Sequence, residues 1–336
     1  MIKILFISSD KIKDSYGITS GLFNSATFVV SFLRKNGYDA KLVSIPDANS
    51  IDKVVTEFNP SIVIIEALWV PPYKFHELFN IPRHKDRQWI VRIHSKAPFL
   101  SMEGMATKWI GEYTLLKNGV VEIAPNTKEL TKQLSIAFPF GKFTYLPNIY
   151  FPKEIIKSNV NKDDNIINIG CFGAVRPLKN IYQQALVAIE FSESIGKDLS
   201  FHINSSRLEQ SGNNVLKNIQ ALFEHSPHKL VEHGWYNHVE FLKVLATMDV
   251  CMQVSLTESF NIVTADVVSV DIPIVVSKDI DWMPNILKAT PTSHDDIFKK
   301  LSFAYDNPRF VSIIQKLYLK WYNKKAEKTW LSAINN

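Results

Sequence analysis

Cysteine is almost missing: the 336 residues contain two, Cys171 and Cys251, each inside an apolar, strand-like run. That excludes a disulfide framework and a four-cysteine metal site, and both read as buried thiols in a reducing compartment. Long apolar runs are missing too. A bilayer span needs about 20 apolar residues, and the longest stretch, Ser61 to Val70, already contains Glu66. The opening Met1 to Ile7 is too short for the apolar core of a leader peptide and passes at once into polar residues, so it reads as a first strand and the expected location is the cytoplasm. The nine histidines include no H-x-x-x-H pair and no nearby cysteine ligand. Low-complexity segments and short repeats are absent. What remains is ordinary globular composition, 46% apolar and 21% charged, which argues against disorder, collagen or a coiled coil. At about 100–200 residues per domain, this length predicts two domains.

The net charge of +5 is unevenly spread. Residues 1–150 carry +5, residues 151–308 carry −5, and residues 309–336 carry +5 with a single acid. Such asymmetry concerns partners rather than fold. It fits either an ordinary solvated surface or an anionic acceptor or surface met by the first domain.

The apolar pattern alternates between strand and helix. Residues 1–8, 40–45, 61–68, 89–94 and 120–124 read as strands. Helical spacing falls at 20–35, 50–58, 107–118 and 127–137. The Pro- and Asn-containing stretch Pro147 to Lys162 reads as a linker. A second alternation starts at Ile166, with strands near 166–173, 199–204, 229–232, 250–254 and 273–277. Helices are expected at 182–195, 214–223, 239–246 and 261–269. Residues 308–334 read as a basic amphipathic helix or helix pair bearing Trp321 and Trp330. The expected fold class is therefore α/β, two doubly wound halves. The expected domains are 1–150, 151–308 and a helical segment 309–336.

Three segments carry candidate chemistry. Gly17 and Gly21 lie in the loop after the first strand, where glycine admits a ligand close to backbone amides at a helix start. Arg176 and Lys179, in the loop after the first strand of the second half, point the same way if that loop is a helical turn, and two cations there suit a diphosphate. The segment Asp249 to Val276 runs from a strand into a loop ending at Glu258 and then into a helix. A continuous helix would hold Glu258 and Asp266 on the order of 12 Å apart, beyond the about 9.5 Å limit of a paired-carboxylate glycosidase. That separation suits two hydroxyl-bearing ends of one long ligand. The plainer alternatives are an acid complementing the helix dipole at Glu258 and a satisfied helix acid at Asp266. Asp279-Ile-Asp281 has the outline of a metal-binding D-x-D but reads better as a solvated turn.

The segment Ser255-x-x-Glu258-Ser-Phe-x-Ile-Val, with Asp266 eight positions after Glu258, resembles the E-x7-E region of retaining GT-B glycosyltransferases. Arg176 and Lys179 resemble that family's basic pair on the donor diphosphate. Leu146-Pro-Asn148, Glu232-His-Gly234-Trp235 and Val91-Arg-Ile-His94 resemble further family stretches, in family order. Asp266 stands where the family has Glu, Asn261 where it has Gly, and Gly17 and Gly21 form a shortened glycine loop. The resemblance implies a GT-B fold: two Rossmann-like domains facing a cleft, the first binding acceptor and the second donor, with the C-terminal helix crossing back to the first.

It also implies an enzyme, a hexosyl- or pentosyltransferase that moves sugar from a nucleotide diphosphate sugar with retention and needs no bound cofactor or metal. UDP-sugar is the expected donor. Glu258, His94, Arg176 and Lys179 are the implied catalytic residues. Phe260, Asn261, Asp266, Trp235 and Gly17 join Arg176 and Lys179 around the donor, and His233 is a further candidate near its base. Arg83, Arg87 and Lys96 lie in the segment that receives acceptors. Residues 94–104 also resemble bacteriophage glycosyltransferases, so the expected acceptor is 5-hydroxymethylcytosine in DNA, modified in the host cytoplasm by a basic face that tracks phosphates. A bacterial envelope polysaccharide or lipid-linked acceptor, with the basic face on an anionic membrane, is the alternative. A non-catalytic nucleotide- or nucleic-acid-binding protein of the same fold is a third.

Overall fold

A computed structural model describes residues 2–9, 21–151, 156 and 163–335. Gly17 lies outside them, as does most of the linker after Phe151. The chain divides into two compact units, Met1–Phe151 with Asn323–Asn336, and Pro152–Tyr322.

The first unit runs β1 (Lys3–Ser9), α1 (Gly21–Lys35), β2 (Asp39–Ile45), α2 (Ile51–Phe58), β3 (Ile62–Glu66), α3 (Pro72–Phe79), β4 (Gln88–Ile93), α4 (Ala97–Leu100), α5 (Ala106–Thr114), β5 (Val121–Pro125), α6 (Lys128–Ala137) and β6 (Lys142–Phe143). Its six strands form one parallel sheet in the order β2-β1-β3-β4-β5-β6. The continuous apolar runs follow from this: Ile62 to Ile65 and Trp89 to Val91 are buried because helices cover both faces. The helix α3 has no counterpart in the alternation read from sequence. Pro72 occupies its first turn, and Phe75, Leu78 and Phe79 are its buried face.

The second unit runs β7 (Ile166–Gly170), α7 (Ile181–Ser194), β8 (Asp198–Asn204), α8 (Gly212–Glu224), β9 (Lys229–His233), α9 (His238–Leu245), β10 (Val250–Gln253), α10 (Ile262–Ser269), β11 (Ile274–Ser277), β12 (Lys288–Ala289), α11 (His294–Asp306) and α12 (Pro308–Asn335). The end of α12 belongs to the first unit. The sheet order is β12-β11-β10-β7-β8-β9, again parallel. Counted within the unit, that is 3-2-1-4-5-6, the doubly wound order whose chain reverses direction beside its first strand. Cys171 and Cys251 are buried free thiols, and burial pushes the Cys171 thiol up to about 12.

Leu146, Ile149 and Tyr150 are buried in the first unit. The start of the stretch read as a linker is therefore part of a core. The Tyr150 backbone exchanges hydrogen bonds with the Asn323 side chain, and Trp330 Nε1 donates to Pro147 O at 2.7 Å.

Candidate functional site

In an open parallel sheet, ligands settle outside the carboxyl ends of the strands where the order reverses. In the second unit that point lies between β7 and β10, so the loops 171–180 and 254–261 decide what the site can do. They are laced together. Gln184, buried on α7, donates to the carbonyls of Lys179 and Asn180 and accepts from Val254 N. Leu256 N donates to Leu178 O at 2.9 Å. Asn180 Nδ2 donates to Val254 O at 3.2 Å.

Within this frame Pro177–Lys179 is a single 3-10 turn with Arg176 as its cap. That turn brings both cations to one carboxylate. Lys179 Nζ pairs with Glu258 Oε1, and an Arg176 nitrogen lies 3.9 Å from the same oxygen. All three side chains are largely buried, so their attraction is weakly screened. Gly173 has φ +115°, open to glycine but strained for other residues, and it lies against the end of the Lys179 side chain.

Glu209 is a member of this cluster that the sequence reading passed over. It accepts from Arg176 Nη1 at 2.7 Å and pairs with Arg207 at 2.7 Å. Burial alone would raise its pKa, but the two guanidinium charges outweigh that and hold its carboxyl below the usual range. The loop after β8 is pinned beside the Arg176 loop by Val175 N to Arg207 O and Glu209 N to Val175 O. Gly212 permits this approach, since a Cβ there would sit 2.0 Å from Val175 O. No spacing in the sequence signals the pairing, because Glu209 is 33 residues from Arg176.

The other residues expected around the donor fall in several places. The helix α10 begins at Ile262, not directly after Glu258. Glu258 is therefore in a loop, and the helical rise between Glu258 and Asp266 does not set their separation. Asn261 has φ +54°; its side-chain oxygen accepts from Thr264 N at 2.9 Å and its amide donates to Gln253 Oε1 at 2.8 Å. The Phe260 ring is buried, stacked on Trp282 and Tyr322 at 5.5 and 5.3 Å, and its carbonyl accepts from Trp282 Nε1. That ring is a packing group, not a contact offered to a ligand. Asp266 is buried on α10 with Oδ1 2.7 Å from His238 Nε2 at the start of α9. Trp235 carries the Arg207 guanidinium 5.0 Å over its ring. His233 stacks on His202, with 2.9 Å between ring nitrogens, and lies 3.3 Å from Tyr236 Oη. Asp279 accepts from Glu258 N at 3.3 Å, so it supports the loop. No group of three or more His, Cys, Asp or Glu among the described residues is arranged to hold a metal ion.

In the first unit the order reverses between β1 and β3. At the carboxyl ends of β3 and β4 sit Glu66, Arg92 and His94. Glu66 and Arg92 are register partners and fully buried. Arg92 Nη1 donates to Glu66 at 3.1 and 3.4 Å. Its other donors go to Leu146 O, Pro147 O and Asn148 Oδ1. Every arm of the guanidinium is used. Burial would raise the Glu66 pKa, but Arg92 and then His94 hold it below the usual carboxylate range. Burial and the Arg92 charge press the His94 pKa down, against the upward pull of Glu66. A neutral His94 thus donates Nε2–H to the Glu66 carboxylate across 2.6 Å, which fixes its tautomer and ring plane. In the sequence, Glu66 stood out only as the acid that interrupts an apolar run.

The residues expected at the acceptor separate. Lys96 follows β4 at the carboxyl end, largely buried and 3.4 Å from Glu129. Arg83 and Arg87 precede β4 at its amino end, the opposite edge of the sheet from His94. Arg83 Nη2 donates to both carboxylate oxygens of Asp52, at 2.8 and 2.9 Å, and its Nε donates to Thr56 Oγ1. Arg87 donates to Pro60 O and Asn59 Oδ1, bracing the turn before β3. Of the three residues expected at the acceptor, these two therefore lie away from His94, because charge spacing does not say which edge of a sheet a loop occupies.

No family model matches the sequence, and no curated protein is recognisably similar to it. Solved structures are similar in fold. Sucrose-phosphate synthase from Thermosynechococcus elongatus superposes with a TM-score of 0.73 at 12% identity, over 100% of this chain and 98% of that one. An Escherichia coli trehalose-6-phosphate protein bound to UDP-2-fluoro glucose gives 0.70 at 11%, over 99% and 98%. Anabaena HepE, solved with UDP and glucose, gives 0.66 at 14%, over 99% and 100%. The chain has the GT-B fold. At these identities the likeness concerns architecture, and it extends over both α/β units. No described helix is long and apolar enough to cross a membrane.

Proposed function

We propose that the protein is a retaining glycosyltransferase that moves a sugar from a nucleotide diphosphate sugar, with UDP-sugar the expected donor, to an acceptor hydroxyl. The observation that carries this is the convergence of Lys179 and Arg176 on Glu258 at the strand reversal of the second unit. The bond from the anomeric carbon to the diphosphate breaks, its electron pair leaving with the phosphate. The acceptor oxygen bonds to the same face of that carbon, and its proton goes to the departing phosphate oxygen. Lys179 and Arg176 would neutralise the charge that builds on the diphosphate. Glu258, released from Lys179, would hold sugar hydroxyls. Asp266 and Trp235 are assigned to the nucleoside end, with Asn261 shaping the turn between. His94, held rigid by Glu66, is assigned to the transferred sugar. The fold shared with HepE, which binds UDP and glucose, supports the donor class.

For the acceptor, 5-hydroxymethylcytosine in DNA draws support from the positive charge of residues 1–150. The ties of Arg83 and Arg87 at the amino edge weaken that support. Lys96 is the one proposed acceptor cation that remains beside His94. A polysaccharide or lipid-linked hydroxyl is the second reading, favoured by the further inference below.

The test is mass spectrometry of hydroxymethylcytosine DNA and of an oligosaccharide and lipid panel after incubation with mixed nucleotide sugars, wild type against Glu258→Gln and Lys179→Ala. Wild type should transfer sugar, and each variant should lose about 10²-fold or more while keeping its circular dichroism. Near-normal turnover in both variants, or no sugar-nucleotide consumption by wild type, would overturn the reading.

A further inference from the structure

The helix α12 buries one side and leaves the other unusually apolar. Val311, Gln315 and Leu319 are buried, with Gln315 donating to Ile272 O. On the opposite side Phe310 is 50%, Ile313 62%, Leu317 59% and Trp321 56% exposed. At about 100° per residue these four fall within about 80° of arc, so they make one stripe along three turns. Tyr318 flanks it in contact with Trp321. From the sequence, core or interface packing is the default for Trp321, and its exposure is what the structure adds.

Charge defines what this stripe fits. Residues 309–336 hold Arg309, Lys316, Lys320, Lys324, Lys325 and Lys328 against Glu327 alone. Lys320 lies beside the apolar stripe, and Lys324 and Lys328 continue its line along the helix. Lys316 is engaged by Asp271, the one acid paired to this helix from a neighbouring element among the described residues. A protein partner with an acidic rim would satisfy the lysines, but a row of bulky apolar side chains with an aromatic pair and one-signed flanks is the pattern of a helix lying in the headgroup layer. There Trp and Tyr rings favour the interface, and each lysine gains from anionic lipid.

We propose that the exposed face of α12 docks the protein on an anionic lipid bilayer, with Phe310, Ile313, Leu317 and Trp321 entering the acyl boundary and Lys320, Lys324 and Lys328 on the headgroups. The inference does not rest on the transferase reading, since it concerns a different surface and is read without turnover.

The experiment is co-sedimentation of the full chain with vesicles of phosphatidylcholine containing phosphatidylglycerol, and with vesicles of phosphatidylcholine alone, at low and high salt. Wild type should sediment with the anionic vesicles, less so at high salt, and little with neutral ones. Lys320→Gln/Lys324→Gln/Lys328→Gln should weaken binding on the order of a hundredfold. Ile313→Glu/Leu317→Glu should abolish it with an unchanged thermal melt, as expected for exposed positions. Failure of wild type to sediment with anionic vesicles, or equal binding by the Ile313→Glu/Leu317→Glu variant, would overturn the proposal. So would a wild-type dimer in sedimentation velocity that this variant converts to monomer, because a second copy would then own the face.

Discussion

Glu66 and Arg92 make the sharpest energetic prediction. Breaking a buried ion pair from one side strands the other charge and costs about 3–5 kcal/mol. Arg92→Met would leave Glu66 ionised with only His94 as donor, and would also take a donor from the carbonyls of Leu146 and Pro147, of which Pro147 O keeps Trp330 Nε1. Its cost should lie at the upper end of that range. Glu66→Gln keeps the shape but leaves a guanidinium with no counter-charge, so about 3 kcal/mol is expected. In the double variant neither charge remains. Its cost should fall short of the summed singles by about 2 kcal/mol or more, the coupling of the pair. Hydrogen exchange read by mass spectrometry on peptides spanning Ile62 to Ile93 reports the first unit alone, which a global unfolding curve does not. Additivity of the two singles to within about 0.5 kcal/mol would refute the reasoning, since independent sites behave that way.

The same cluster predicts acid lability. The His94 pKa is held below 6.5 in the fold, so below that pH the unfolded chain takes a proton that the folded one refuses, and stability falls. Glu66, held below 4.5, adds a second loss as pH falls through and beyond that value. His94→Asn should therefore flatten the stability profile between about pH 7 and pH 5 while leaving the lower step; an unchanged profile would contradict the assignment. At Asn261, Ala loses both the cap and the tolerance for positive φ and should cost about 2 kcal/mol or more, whereas Gly keeps the backbone and should cost about 1. Chemical denaturation of the two variants checks this, and the reverse order would count against it.

What the sequence made legible was local. The α/β alternation of both units could be read because buried parallel strands are apolar without interruption. The Arg176 and Lys179 juxtaposition could be read because three residues make one turn of a tight helix. The helices α3 and α11 went unread, although Pro72 at one start and Ser293 with Asp295 and Asp296 at the other are ordinary start signals. Non-local partners stayed hidden. His238 meets Asp266 from 28 residues away, and Arg83 meets Asp52 from 31. Both pairs are made by topology, and no periodicity encodes which loops a sheet order will bring together.

The two carboxylates at strand ends also differ in what their partners permit. Glu66 faces an arginine whose donors are all committed to the protein, with backbone carbonyls closing the fork. A ligand could recruit that guanidinium only by leaving buried acceptors unpaired, so Glu66 and Arg92 act as a fixed base beneath His94. Glu258 faces a lysine, a compact charge on a flexible stem with three rotatable donors. The Lys179 loop is held by Gln184, Asn180 and Leu256 rather than by the ammonium, so on the proposed function the lysine exchanges carboxylate for phosphate without unmaking it. Replacing an acid on a rigid arginine fork disturbs the fold, while replacing one on an exchangeable lysine disturbs binding. The proposed function therefore expects stability to read the first cluster and turnover the second.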